Sequence, residues 1–437
     1  MKQMHLAGFC SHIVQSNGLW RHPKTSLDFL KPKHYQEVAS ILERGKFDII
    51  FFGDSLAIPD RHGKSLEFAL KHGSGGTARL DPILVASIIA VSTEYIGIGV
   101  TRSATYYHPF DLARIFATLD HLSFGRAAWN VVTSSGNSEA QNFGFDQHLE
   151  HDIRYDRADE FMEVAFKLWN SWEKDSLCLD KQNGIFADPS RVNYVHHLGK
   201  WFASRGPLTV PRSPQGRPVI IQAGSSERGK EFAARWAEVI FEIQLTPDLM
   251  KTFYQDVKSR MKKYGRHPQE CKILTTVMPF VGETEAIAQD KQSFYNELGN
   301  PLVGLSSLSS NVGYDFSQHS LDEPLRNMKV KGSQGLFDMV INLSQIEGGL
   351  TLGDAGKYYG RGFLVPQIVG TASQVADQLE ALFKDEACDG FMISPAYLPG
   401  AFTDFVDFVV PELQKRGLFR TQYVGKTLRE RMARSVI

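Results

Sequence analysis

The chain is short of cysteine. Four in 437 residues, Cys10, Cys178, Cys271 and Cys388, stand far apart and without CxxC spacing. That excludes a zinc ribbon and a disulfide framework, and it suits a reducing cytoplasm. Long apolar runs are missing as well: no stretch of about 18 residues is apolar enough to span a bilayer. The opening segment, MKQMHLAGFCSHIVQSNGLW, lacks an uninterrupted apolar core and a small-residue cleavage site, so it reads as a first strand, not a signal peptide. No sign of charge dominates. With 48 basic and 49 acidic side chains the formal net charge is −1, which offers nucleic acid or anionic lipid no overall attraction. There is no internal repeat and no low-complexity tract. No GxGxxG follows the first strand, which weakens a dinucleotide-binding open sheet. The basic end, KTLRERMARSVI, reads as a solvated terminal helix.

What is present is a soluble globular composition, 42% hydrophobic and 22% charged. Eight short apolar runs begin at Met4, Phe47, Tyr95, Arg126, Arg217, Glu238, Lys272 and Asp389. Most are nearly continuous in apolar character, the mark of strands buried on both faces in a parallel sheet. Helical patterns such as YQEVASILERGK, ADEFMEVAFKLWNSWEK, GKEFAARWAE and ASQVADQLEALFKDEA alternate with them. Eight strands alternating with helices predict an α/β fold, a single-domain (β/α)8 TIM barrel over residues 1–437. Two stretches, about 171–216 and about 297–366, are rich in turn-forming residues and too long for ordinary connections; both are expected as insertions around the C-terminal mouth of the barrel.

Barrel ligands lie at the C-terminal strand ends, which directs attention to Asp54, Thr101 and Asn130 to Ser134. The segment QAGSSERG ends the fifth run. There Ser225 and Ser226 can cap a helix whose free N–H groups would suit an anion, although a plain capped turn explains the same residues. The densest charge is HLEHDIRYDRADE, residues 148–160. His148 and His151 with carboxylates could hold a metal; the stretch could clasp an anion; or Asp159 and Glu160 could complement the dipole in the first turn of the helix ADEFMEVAFKLW.

Longer motifs resolve these alternatives. GLWRHP, SATYYHPFDLARIFATLDHLSFGRAAWNVVTS, NFGFDQHLEHDIRYDRADEF and RGPLTVPRSPQGRPVIIQAGSSERGKEFAA follow one another in a fixed order along nearly the whole chain. Together they closely resemble the bacterial-luciferase-like flavin monooxygenases, in the subgroup of nitrilotriacetate, long-chain alkane and dibenzothiophene sulfone monooxygenases. The resemblance implies FMN at the strand ends. Asp54, Thr101 and Asn130 would meet the isoalloxazine, while His151, Tyr155, Ser225 and Ser226 would meet the phosphate, and no metal is expected. The general barrel rule places a phosphate after strands seven and eight, whereas these motifs place it after strand five.

The family chemistry is a flavin C4a-(hydro)peroxide formed from reduced FMN and dioxygen, which oxygenates a small aromatic, organosulfur or haloaromatic substrate in a dry pocket. Phe9, Phe51 and Phe241 could line that pocket or simply fill the barrel. No pyridine-nucleotide motif is visible, so a separate flavin reductase is expected to supply reduced FMN in trans, and relatives imply a homodimer or homotetramer. A flavin-binding module without turnover, a deazaflavin-dependent oxidoreductase and a metal-dependent barrel hydrolase are the competing readings.

The sequence departs from the sulfone enzymes at two positions, where their histidines are replaced by Gln15 and Asn311. Nearby His12 and His319 are candidate proton carriers in their place. Two charges also interrupt strand ends. Arg102 should alternate away from Thr101 and point toward the helices. Glu242 follows Phe241, so alternation makes it a buried wall carboxylate if Phe241 lines the barrel; otherwise it borders the substrate pocket.

Overall fold

All eight apolar runs are parallel strands: β1 (His5–Phe9), β2 (Ile49–Phe52), β3 (Gly97–Ser103), β4 (Ala127–Val132), β5 (Val219–Gln222), β6 (Val239–Glu242), β7 (Lys272–Val281) and β8 (Gly390–Ile393). The computed structural model describes residues 2–10, 19–328, 330 and 334–433. Each strand pairs with its neighbours in chain order, and β8 returns to β1 through His5↔Gly390 to Gly8↔Ile393, which closes a (β/α)8 barrel. A ninth strand, Gln367–Gly370, which the sequence did not suggest, pairs with the outer half of β7 at Met278–Val281. The barrel interior is filled by side chains such as Ala7, Ile49, Phe51, Ala128, Ile221, Phe241, Leu274 and Met392.

The main surrounding helices are α1 (Pro32–Arg44), α2 (Pro82–Ser92), α3 (Pro109–Leu122), α4 (His151–Trp169), α5 (Glu227–Trp236) and α6 (Pro247–Met261). Four of them start with proline, which needs no N–H in the first turn. Asp81, His108, Ser226 and Thr246 cap α2, α3, α5 and α6 by accepting a backbone N–H.

Several expectations are corrected. Helix α4 begins at His151, eight residues before Asp159, because Tyr155, Ala158, Phe161 and Met162 already form a buried stripe. Asp152 is therefore the first-turn acid, and Asp159 and Glu160 lie in the third turn. The basic C-terminal helix, Leu428–Ala433, is not solvated: Leu428 and Met432 are buried in the barrel-interior cluster, and Arg431 is 3% exposed.

Residues 297–366, read from their glycines and serines as loop, are largely helical: α8 (Pro301–Val312), α9 (Gln334–Ile346) and α10 (Leu352–Gly360), preceded by α7 (Glu285–Glu297). They carry a core of their own around Leu305, Leu308, Phe316, Val340 and Leu352. The small residues serve helix packing: a Cβ at Gly304 would lie 1.8 Å from the Gly356 carbonyl, so α8 and α10 cross at contact distance only without one. Residues 171–216 add no strand to the barrel. They form two small antiparallel hairpins against α3 and α4, held by Glu160, which accepts from the Trp201 and Phe202 N–H groups, and by Phe202 against Phe161 and His108.

Candidate active site

Two cavities of about 390 and 370 Å³ open at the C-terminal mouth and share Asp54, Thr101, Val132 and Phe363. The larger has an aromatic floor. Phe9 stacks on Phe51 at 5.5 Å between centroids, and Phe51 meets Phe241 edge-on at 4.7 Å. Helix α9 contributes Leu336 and Met339 as a roof, and Tyr359 of α10 joins them. The smaller cavity is polar, with Arg79, Ser134 to Glu139 and Ser310 to Asn311 around it. Phe363, on both linings, adopts φ +56°, a left-handed conformation uncommon for a bulky residue and often found at functional sites.

On the β3–β4 side, Thr101 and Asn130 are register partners, and Asn130 Nδ2 donates to Thr101 Oγ1 at 2.9 Å. The Asn130 Oδ1 is buried with no hydrogen-bond partner. Asp54 stands beside them, taking the Ser55 N–H at 2.9 Å and lying 3.5 Å from Arg102 Nη1. Burial pushes its carboxyl up to about 6, against the pull of Arg102 and Arg79. Arg102 runs outward as alternation requires and pairs with Asp81, the cap of α2.

At the β4–β5 corner, the dense charge of residues 148–160 is distributed among partners. His151 Nε2 is 3.1 Å from Ser226 Oγ, and its Nδ1 is 2.8 Å from Asp152. Tyr155 hydrogen-bonds Ser226 and Thr133. Arg228 takes Asp156 at 3.0 Å and Asp159 at 2.5 Å. Ser226 Oγ accepts the Gly229 N–H at 3.1 Å, so His151, Tyr155 and Ser226 meet at the N-terminus of α5. Their approach requires missing side chains: a Cβ at Gly224 or Gly229 would sit 2.7 or 2.9 Å from the Tyr155 hydroxyl. His148 goes elsewhere, to Tyr106 at 3.1 Å and Arg154 at 3.1 Å, so the two histidines do not share a ligand. Among the described residues no group of three His, Cys, Asp or Glu is placed for a metal.

The remaining candidates divide. Phe241 lines the barrel and Glu242 is a buried wall carboxylate bonded to the Thr275 hydroxyl, yet Glu242 also borders the larger cavity; at the strand end the two alternatives coexist. Burial pushes Glu242 up to about 8, opposed only by that hydrogen bond. Asn311 lies on the wall of the smaller cavity and donates to Tyr359 at 2.6 Å. His319 lines neither cavity; it is held between Glu323 at 2.9 Å and Tyr314 at 2.8 Å. His12 and Gln15 lie outside the described residues. Sequence reasoning missed Arg79, Thr276, Tyr359 and Phe363. Only Thr276 left a signal, as part of a polar doublet inside the apolar run KILTTVMPFV.

The model of the luciferase-like monooxygenases matches residues 9–388. The chain belongs to that family. It is 50% identical to the dibenzothiophene-sulfone monooxygenase of Rhodococcus erythropolis (strain XP), over 99% of this chain and 96% of the relative. It is 43% identical to nitrilotriacetate monooxygenase component A of Aminobacter aminovorans, again over 99% and 96%. The crystal structure of riboflavin lyase RcaE, solved with modified FMN and riboflavin, matches with a TM-score of 0.89 and 32% identity, over 99% of this chain and 96% of that one. The family's motif residues thus stand around one barrel mouth, and the chain is a monooxygenase by family.

Proposed function

We propose that this chain is the oxygenase component of a two-component system that uses reduced FMN and dioxygen to oxygenate a small aromatic, organosulfur or haloaromatic compound. One observation carries the reading: a hydroxyl-and-imidazole corner at the N-terminus of α5 opens beside an apolar cavity at the same barrel mouth. In this reading His151, Tyr155, Ser225 and Ser226 hold the phosphate, favoured by the helix dipole. Asp54, Thr101 and Asn130 face the polar edge of the ring, where the unpartnered Asn130 Oδ1 is free to accept a hydrogen bond. Bound reduced FMN supplies the electrons and activates dioxygen. The chain's own part is to exclude water: Phe9, Phe51, Phe241 and Met392 line the floor, and Leu336 and Met339 cover it. A relative named as component A of a monooxygenase supports a separate reductase.

The reading places the enzyme in the cytoplasm; among the described residues no helix is long and apolar enough to cross a membrane. It also makes the enzyme a homodimer or homotetramer. Helix α2 is apolar around its circumference yet leaves Leu84 68% and Val91 77% exposed, a face that a second copy would cover.

The test is anaerobic titration with oxidised and reduced FMN, then turnover with a flavin reductase, NADH and ¹⁸O₂ against a panel of aryl sulfides, sulfones and haloarenes. Tighter binding of reduced FMN and one ¹⁸O atom in a product are expected. Flavin binding that yields only hydrogen peroxide with every substrate would reduce the chain to a binding module. Activity that ignores flavin and falls to chelators would identify a metal hydrolase.

A further inference from the structure

Glu242 and Thr276 form a polar pair at the mouth, on the side of the larger cavity away from the unpartnered Asn130 of β4. Both are buried, 5% and 1% exposed, on neighbouring strands β6 and β7, and both line the larger cavity. Glu242 Oε1 accepts from the Thr275 hydroxyl, while Glu242 Oε2 and Thr276 Oγ1 have no partner. A buried polar atom without a partner is costly and calls for a ligand or water. Their surroundings are apolar: Phe51, Phe241, Phe253, Met339 and Met392 share the lining. Among the described residues no lysine, arginine or histidine lines this cavity, and Asp54 is the one other ionisable acid on it.

We propose that Glu242 and Thr276 form a donor pair that grips an uncharged oxygen acceptor on the substrate, such as a sulfone, sulfoxide or carbonyl oxygen, and that this cavity selects against polyanionic substrates. The proposal rests on the monooxygenase reading above. Its chemistry follows from an apolar lining that, among the described residues, carries no cation beside Glu242. A carboxyl in an apolar wall with a single hydroxyl partner holds its proton at neutral pH, and then Oε2–H donates. Thr276 rotates its hydroxyl to donate alongside it. β7 presents Thr275 to Glu242 and α6 presents Phe253 to the same cavity end; the titratable group that feels its charge is Cys388, itself buried. A carboxylate-rich substrate would meet Glu242 and Asp54 on this lining and, among the described residues, no lysine, arginine or histidine that lines it, which disfavours it.

The experiment compares diphenyl sulfone with its oxygen-free analogue diphenylmethane on the FMN-saturated chain, by calorimetric binding and by the kcat/KM ratio in the reconstituted system. The parent is expected to favour the sulfone by about tenfold, the scale of one or two hydrogen bonds. Glu242→Leu and Thr276→Val should each erode that preference, whereas Glu242→Gln, whose amide still donates, should keep it. Above about pH 8 the preference should fall in the parent and stay level in Glu242→Gln. Thr276→Val carries the test even if Glu242→Leu does not fold. Equal binding of both probes by the parent, or a preference untouched in Glu242→Leu and Thr276→Val, would overturn the proposal. So would tighter binding of protonated benzhydrylamine that is lost in Glu242→Gln, since that describes an ionised carboxylate for cations. Failure to bind FMN, seen before any probe is added, would strike the underlying monooxygenase reading instead.

Discussion

Three acids at the strand starts and Glu242 at the mouth are partnered in opposite ways. At the strand starts three carboxylates, Asp48 and Asp389 buried and Glu238 partly so, each meet a guanidinium or ammonium group. Asp48 has Arg420 at 2.6 Å, with the His5 ring nitrogen 3.4 Å away; Glu238 has Arg429 at 2.6 Å and Arg217 at 2.8 Å; Asp389 has Lys258 at 2.8 Å and Lys2 at 3.0 Å. Burial alone would raise all three, yet these partners hold every one below the usual carboxylate range. At the mouth Asp54 is partly buried and Glu242 fully so, and both are raised. Among the described residues Glu242 has no cation beside it, and Asp54 has Arg102 only at 3.5 Å. The closed end takes several cations from the chain's own terminal segments, Lys2, Arg420 and Arg429, whereas at the mouth Glu242 Oε2 and the Asn130 amide oxygen have no hydrogen-bond partner. That is the division expected between a face that holds a barrel together and a face that receives a ligand.

The sharpest way to break the contrast is Lys258→Met. It strips Asp389 of its buried partner and frees the Cys271 and Pro268 carbonyls, which should cost about 3–5 kcal/mol of stability in urea unfolding. Reduced-FMN affinity of the folded fraction should not change. A parallel loss of flavin binding would mean that the two ends are energetically one site.

The next effect comes from pH and has opposite signs at the two ends. Asp48 titrates near 2 in the fold and near 3.9 unfolded, so its contribution is complete above about pH 4 and disappears as pH falls through about 2, a loss of about 2–3 kcal/mol. Glu242 titrates near 8 in the fold and near 4.3 unfolded, so the folded state holds a proton that the unfolded state gives up, and stability declines as pH climbs from about 4 to about 8. Unfolding of the parent and Glu242→Gln from pH 3 to 9 should show the variant gaining on the parent steadily from about pH 4 to about pH 8 and no further above it. A constant offset between them would mean that the Glu242 carboxyl is already ionised in the fold.

A smaller effect sharpens the description of the mouth. Tyr155→Phe removes one hydroxyl from the α5 corner and should weaken FMN by about 1.5–3 kcal/mol, while riboflavin, which lacks the phosphate, binds parent and variant alike. Ser226→Ala should act similarly and also cost about 1 kcal/mol of stability, because Ser226 caps α5 through the Gly229 N–H. Equal weakening of riboflavin would move these residues away from the phosphate.

The sequence by itself determined the barrel, because continuous apolar runs separated by amphipathic helices admit few other arrangements, and all eight runs became strands. It also pointed to the strand-end residues Asp54, Thr101 and Asn130 and to Ser226 before a helix, which are local signals, whereas His151 and Tyr155 were singled out only by the family resemblance. It misplaced what depends on distant packing. Residues 297–366 looked like loop because glycine and serine signal turns locally, whereas here they let α8 and α10 pack closely. Asp159 and Glu160 looked like a helix start, although their partners Arg228 and the 201–202 backbone are far along the chain. Only the tertiary structure decided which carboxyls meet a cation. Asp48 and Glu242 look alike in sequence, each an acid beside apolar strand residues, and a guanidinium hundreds of residues away is what drives their acidities apart.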